Sequence, residues 1–149
     1  MAETFYGVNK TLYNAGTANT IEPELQGGKV YCLVDTYTFI NTEAATDVIQ
    51  LGGIKLPAEA RIVDWRIDHG AIGGSIELAF GTLASSAVFM ASVSCVGAGK
   101  KTYTGNGVAG SLGYEISSGN GQVPTLTVAG ATPTAGITLT VVIFYTRKG

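Results

Sequence analysis

Between residues 60 and 82 the chain alternates apolar and polar side chains in two runs, and this alternation narrows the fold more than any other feature. In the first run Val63, Trp65 and Ile67 lie on one side, and Asp64, Arg66 and Asp68 on the other. In the second, Ile76, Leu78 and Phe80 oppose Ser75, Glu77 and Ala79. Successive side chains leave a pleated backbone on opposite sides, so strict alternation marks a half-buried strand. The link Gly70-Ala71-Ile72-Gly73-Gly74 between the runs predicts an antiparallel hairpin with a dry face and a wet face. A second layer must cover the dry face, so the stretch demands a layered β protein. It carries no reaction of its own.

The rest of the chain extends the same theme. Residues 29–40 are β-branched and aromatic and predict a long strand. Val30, Cys32 and Val34 share one face, Tyr31 and Leu33 the other; apolar character on both implies burial on both sides, or one side meeting a partner. Residues 41–46 connect to a short strand at 47–51, and residues 87–93, 112–117 and 125–129 read as further strands. Residues 97–113 read as a glycine-rich connection holding Lys100, Lys101, Tyr103 and the turn signal Asn106-Gly107. Residues 137–146 alternate most regularly, with Ile137, Leu139, Val141, Ile143 and Tyr145 on one face, and predict a central strand. Seven or eight strands without a convincing helix mean an all-β protein, an antiparallel β-sandwich of jelly-roll-like kind. The expected layout is an extended N-terminal arm over residues 1–28 and one sandwich domain over 29–149. The arm has two readings, a frayed terminus or a segment crossing onto a neighbouring subunit. Phe5, Tyr6 and Tyr13 favour the second, because solvated tails are poor in aromatics.

Composition excludes more than it selects. The 149 residues fit one domain able to bury a core without metal or disulfide. Charged residues make up 13%, against roughly one-quarter in ordinary soluble domains. That leaves much weakly polar surface, read either as a face against another protein or as the exterior of a compact monomer. Net charge is −2 and basic residues are scattered, Lys100-Lys101 and Arg147-Lys148 being only pairs, so no nucleic-acid partner is expected. The first residues lack a basic segment followed by an apolar one, so no secretory leader is expected. No apolar run approaches the ~18 residues of a membrane span, so no membrane association is expected either. Cys32 and Cys95 share no metal-ligand spacing; two buried thiols are preferred over a disulfide, which stays open.

A search for chemistry returns little. His69 ends a strand before a glycine and reads as a solvated turn residue, since no Gly-x-Ser-x-Gly supplies a nucleophile for it. Asp64, Asp68 and Glu77 would cluster on the wet face of the hairpin as a carboxylate pair or calcium site, but Arg66 between the aspartates more simply makes a surface ion-pair ladder. The groups Gly70–Gly74 and Gly105-Asn106-Gly107 lack a Gly-Lys-Ser/Thr ending and read as turns. Trp65 reads as core rather than as a sugar-stacking platform. The expectation is no enzyme, no metal and no cofactor.

Three ordered stretches resemble small structural proteins of tailed bacteriophages, of the kind that decorate or cement the head. The first is Phe5-Tyr6-Gly7-Val8-Asn9-Lys10, with Gly27-Gly28-Lys29-Val30 and Val34-Asp35-Thr36-Tyr37 downstream. The second is Lys55-Leu56-Pro57-Ala58-Glu59-Ala60-Arg61-Ile62, leading to His69-Gly70-Ala71-Ile72-Gly73 and Leu78-Ala79-Phe80-Gly81. The third is Ala135-Gly136-Ile137-Thr138-Leu139-Thr140, followed by Val141-Val142-Ile143-Phe144-Tyr145-Thr146. The resemblance implies binding rather than catalysis: a homo-oligomer, with a trimer favoured and a dimer possible, seated on the outside of the major capsid protein's shell and made in the cytoplasm of a bacterial host. Contacts are then expected from the arm (Phe5, Tyr6, Tyr13) and from the face carrying Tyr31, Leu33, Tyr37 and Phe39. The alternative is a receptor- or glycan-binding module of a tail or fibre, which predicts saccharide binding through exposed tyrosines. A small hydrolase, ranked last, predicts lost activity on His69→Ala.

Overall fold

The structure is a computed structural model that describes residues 29–52, 55–102, 114–117 and 119–147. The eight strands are β1 (Val30–Thr38), β2 (Val48–Gln50), β3 (Ala60–His69), β4 (Glu77–Thr82), β5 (Met90–Ser94), β6 (Gly99–Thr102), β7 (Pro124–Ala129) and β8 (Thr138–Arg147). They form two four-stranded antiparallel sheets, ordered β1-β8-β3-β6 and β2-β7-β4-β5. No helix occurs among the described residues. The pairs β1·β8, β2·β7, β3·β6 and β4·β5 nest inside one another, as in a ribbon folded double between β4 and β5 and then rolled. Lateral pairing of β3 with β8 and of β4 with β7 closes each sheet. This is the jelly-roll-like sandwich that the strand patterns imply.

The core lies between the sheets. β8 is central, and Leu139, Val141, Ile143 and Tyr145 point from it into the interior. Ile62, Trp65 and Ile67 of β3 join them, facing Leu78 and Phe80 of β4 and Leu126 and Val128 of β7. Trp65 meets Phe80 edge-on across the gap at 5.3 Å, and Phe80 reaches Phe89 at 5.0 Å. Burying each such side chain stabilises the fold by roughly 1.5–3 kcal/mol. Gly130, at a φ of 82°, lets the turn between β7 and β8 pass close under the start of β4: a Cβ there would strike the Ser75 carbonyl.

Several expectations are corrected. β3 and β4 do not pair as a hairpin; they belong to opposite sheets, and the Gly70–Gly74 link crosses the sandwich with Ile72 buried in the core. Both dry faces therefore cover each other. Val63 is 45% exposed, because the register of β3 against β8 slips between Ile62 and Asp64. One extra residue at this β-bulge turns Ile62 inward in its place while Trp65 and Ile67 keep their face. His69 is 6% exposed, not solvated, since it continues the inner row of β3; its Nδ1 lies 2.9 Å from the Gly70 carbonyl oxygen. Cys95 is buried as expected, but Cys32 is exposed and both thiols are free. Gly99–Thr102 is an edge strand rather than part of a loop. The apolar residues Val88 and Phe89 precede β5 in a bend, still buried. Asn106-Gly107 lies outside the described residues.

Candidate interaction surface

The outer face of the β1-β8-β3-β6 sheet is built from rows set by the register. Cys32 of β1 stands opposite Phe144 of β8, which stands opposite Asp64 of β3. The next row is Val34, Val142 and Arg66, and the next is Thr36, Thr140, Asp68 and Lys100. The face is thus apolar at the β1 side and charged at the β3–β6 side. Val30 and Val34 are more than half exposed, while Val142 and Phe144 are screened by their neighbours. On the charged side Arg66 Nε lies 2.8 Å from Asp68 Oδ2, and Lys100 Nζ lies 3.8 Å from the other carboxylate oxygen. Asp64 instead accepts the Trp65 N–H at 2.8 Å. Exposed pairs of this kind contribute little stability and mainly fix local charge. Glu77 faces outward on the other sheet, where Ser92 donates to it, so the three carboxylates considered together above do not meet. No group of three or more His, Cys, Asp or Glu is placed to hold a metal ion among the described residues.

The edges of the two sheets are unequal. β2 has three residues, β5 five, and β6 four with two lysines. β1 is an edge strand of nine residues without Lys, Pro or Gly. Phe39 donates its N–H to Ile137 and accepts from Gly136, so odd-numbered residues of β1 turn their backbone groups to β8. Even-numbered residues then turn theirs to the open side. Only Thr36 has a cap there among the described residues, its N–H donating to Asp35 Oδ1 at 2.8 Å. Short length, lysines and bulges are the usual protections of a sheet edge, and β1 has none of them.

Of the residues expected to make contacts, Phe5, Tyr6 and Tyr13 lie outside the described residues. Leu33 and Phe39 are buried in the core, because the register places Leu33 beside Ile143 on the inner face. Tyr31 belongs to the same row but is 38% exposed, its ring stacked on Tyr145 at 5.5 Å. The exposed apolar residues of β1 lie mainly on the opposite face, at Val30, Cys32 and Val34, with Ile40 just beyond the strand. The sequence signal for this was the company each row keeps. Val30, Cys32 and Val34 continue into Thr36 and Thr38, whereas Tyr31 and Leu33 continue into Tyr37 and Phe39.

Tyr37 anchors the connection after β1. Its hydroxyl donates to Glu43 Oε1 at 2.6 Å, and the same oxygen accepts the Ile40 N–H at 2.9 Å. Glu43 Oε2 accepts the Thr42 N–H at 3.1 Å. Burial raises the Glu43 pKa, but the hydroxyl and the backbone donors outweigh it and hold the carboxyl below its ordinary value. The Tyr37 phenol is pushed up to about 12 by burial, then by its bond to Glu43 and that residue's charge. The pair is a structural latch rather than an acid–base couple, since the phenol stays protonated and the carboxylate charged at neutral pH.

No protein-family model and no curated protein matches the chain. Solved structures do. The chain is similar to one in the capsid of Ralstonia phage GP4, with a TM-score of 0.68 and 22% identity over 82% of this chain and 86% of that one. It is also similar to one in the capsid asymmetric unit of cyanophage Pam1, with a TM-score of 0.64 and 18% identity over 78% of this chain and 84% of that one. At these identities the likeness is one of fold.

Proposed function

We propose that the chain is a structural protein of a tailed-phage virion, a decoration or cement protein that binds the outer surface of the major capsid shell and stabilises it. The observation that carries this reading is the shared fold: the whole sandwich, not a fragment, matches chains within two phage capsids. The role is binding, not catalysis. A stiff sandwich with few charges and an apolar strip at one sheet edge suits repeated contact with a symmetric shell. Many weak contacts multiplied by symmetry hold strongly through avidity. The partners are the major capsid protein and further copies of this chain, with a trimer favoured. The N-terminal arm over residues 1–28 serves those contacts, and the protein resides on the head surface after synthesis in the host cytoplasm.

Copy number tests the proposal. In purified virions carrying the protein, quantitative mass spectrometry is expected to find hundreds of copies (an order of magnitude set by repetition over a closed symmetric shell) in fixed ratio to the major capsid protein. A handful of copies would move the protein to the tail or a fibre. Absence from the particle would overturn a virion role altogether.

A further inference from the structure

We propose that two copies of this chain join along their β1 edges about a two-fold axis beside Cys32, so that one antiparallel sheet runs through both. The edge is long and unprotected, and its open backbone groups belong to even-numbered residues. Thr36 closes one end of the open stretch, because its N–H already donates to Asp35 Oδ1. The groups left for a partner are those of Val30, Cys32 and Val34. A second copy related by a two-fold axis runs antiparallel to the first and offers the same groups in return. The inference narrows the self-association proposed above to one surface and one axis, and it stands without the capsid reading. Copy number in the virion tests that reading; the mass of the isolated protein tests this one.

Backbone groups and charge select the same register. An axis at Cys32 sets Cys32 opposite Cys32 of the second copy, Val30 opposite Val34 and Val34 opposite Val30. Each of these pairs exchanges both N–H···O=C bonds. Axes at Leu33 or Val34 would call on Thr36 and displace Asp35 from its N–H, and axes nearer the start of β1 would set Val34 opposite a residue before the strand. Directly opposed residues share a side of the sheet. The valines and cysteines then meet on the outer face, where Val30 and Val34 are more than half exposed in the single chain. On the other side Tyr31, 38% exposed, lies opposite Leu33 of the second copy. The same axis brings Lys29 opposite Asp35 of the second copy, and no other two-fold register does. The stretch from Lys29 to Thr38 has no other charge, so its two charges pair and neither meets its like. Asp35 also accepts the N–H groups of Thr36 and Gly52, and a carboxylate has room for a further donor.

The oligomeric state of the full-length chain is the test. A two-fold contact joins chains in pairs, or pairs trimers where a three-fold contact also forms. Sedimentation equilibrium under reducing conditions, at up to about 100 µM because a strand-edge contact is small, is expected to give an even number of chains. A single chain or an odd number would overturn the proposal. Lys29→Glu sets carboxylates against each other and is expected to weaken the association at least about tenfold; unchanged association would overturn the register. Cys32 reports the axis directly, since Cys95 is buried. Hydrogen-bonded antiparallel partners stand about 5.5 Å apart at Cα, within reach of a disulfide. With diamide as oxidant, Cys32 is expected to link two chains at least about tenfold faster than the thiol of the double variant Cys32→Ser, Val34→Cys, whose position 34 faces Val30. Equal rates would overturn the register. Hydrogen exchange needs no variant: the amides of Val30, Cys32 and Val34 are expected to be protected in the assembly and to exchange faster on dilution. Protection that ignores dilution would assign the edge to the chain itself and overturn the proposal. Fast exchange at every concentration would leave the edge open and do the same.

Discussion

Replacing Phe80 with alanine is expected to destabilise the fold by about 3–5 kcal/mol, the range for emptying an aromatic site in a packed core. Phe80 sits on β4 in one sheet and touches Trp65 of β3 in the other, then passes the contact on to Phe89. Phe89 in turn meets Tyr114 edge-on at 5.8 Å. The ring is therefore a bridge between layers, with no solvent nearby to fill the space it leaves. A chain of this size loses about 2–4 °C of melting temperature per kcal/mol, so a fall of roughly 10 °C is expected by calorimetry. A double-mutant cycle with Trp65→Leu should show coupling of about 0.5–1.5 kcal/mol, as aromatic pairs do. A loss below about 1 kcal/mol for Phe80→Ala would mean that the sheets are held together elsewhere.

Glu43→Ala is expected to cost about 1.5–3 kcal/mol at neutral pH, because it removes the carboxylate that accepts from the Tyr37 hydroxyl and from the part-buried N–H groups of Ile40 and Thr42. Elsewhere the connection is held by the Ala44 N–H on Asp47 Oδ2 and the Thr46 N–H on the Val128 carbonyl oxygen, both at 2.8 Å. Asn41 and Thr46 both adopt positive φ, at 69° and 80°, and for the β-branched Thr46 that conformation is costly. The sign of the pH effect follows from the shifted groups. The folded carboxyl has a pKa below its unfolded value, so its contribution is complete above the unfolded carboxylate range and is lost as pH falls through the folded pKa. The Tyr37 phenol is shifted the other way, to about 12, so its contribution is complete below the unfolded phenol range and is lost as pH rises toward that value. Urea unfolding of the wild type and of Glu43→Ala should therefore differ most near neutrality and converge in acid. A difference that stayed constant down to strongly acidic pH would show that the carboxylate's charge is not what holds the loop.

The strands themselves were legible wherever one face is dry. The alternation at 137–146 located β8, and the central position expected of it is the one it occupies between β1 and β3. What alternation does not encode is the partner. The runs at 60–69 and 76–82 announce two dry faces, and a hairpin and a face-to-face pair satisfy that pattern equally well. Only the size of Trp65 and Phe80, which fill the space between layers, favours the second. The bulge that exposes Val63 costs the sequence nothing visible, since Ile62 is as apolar as the residue it displaces. β6 hides because an edge strand needs few apolar residues: Lys100 and Lys101 suit its exposed position. The burial of His69 is hidden for a related reason. Its polar name suggested water, while its place in the inner row with Trp65 and Ile67 fixed it inside. On β1, Leu33 and Phe39 are buried although the sequence alone does not separate them from a partner-facing row, because Tyr31, Leu33, Tyr37 and Phe39 look as fit for a partner as for a core.

The nesting of strand pairs has a consequence for how the chain reaches this state. β1 pairs with β8, so Val30 waits for Thr146, and β3 also lacks its main neighbour until β8 exists. As the chain leaves the ribosome, only the β4–β5 turn and its immediate flanks can mature in order of synthesis. Both strands that border β8 must stay unpaired on that side until the last described strand is made. Closing contacts of such long sequence separation is slow, and the exposed edges invite association with other chains meanwhile. Production of the protein should accordingly be limited by what happens before release more than by the stability of the finished sandwich.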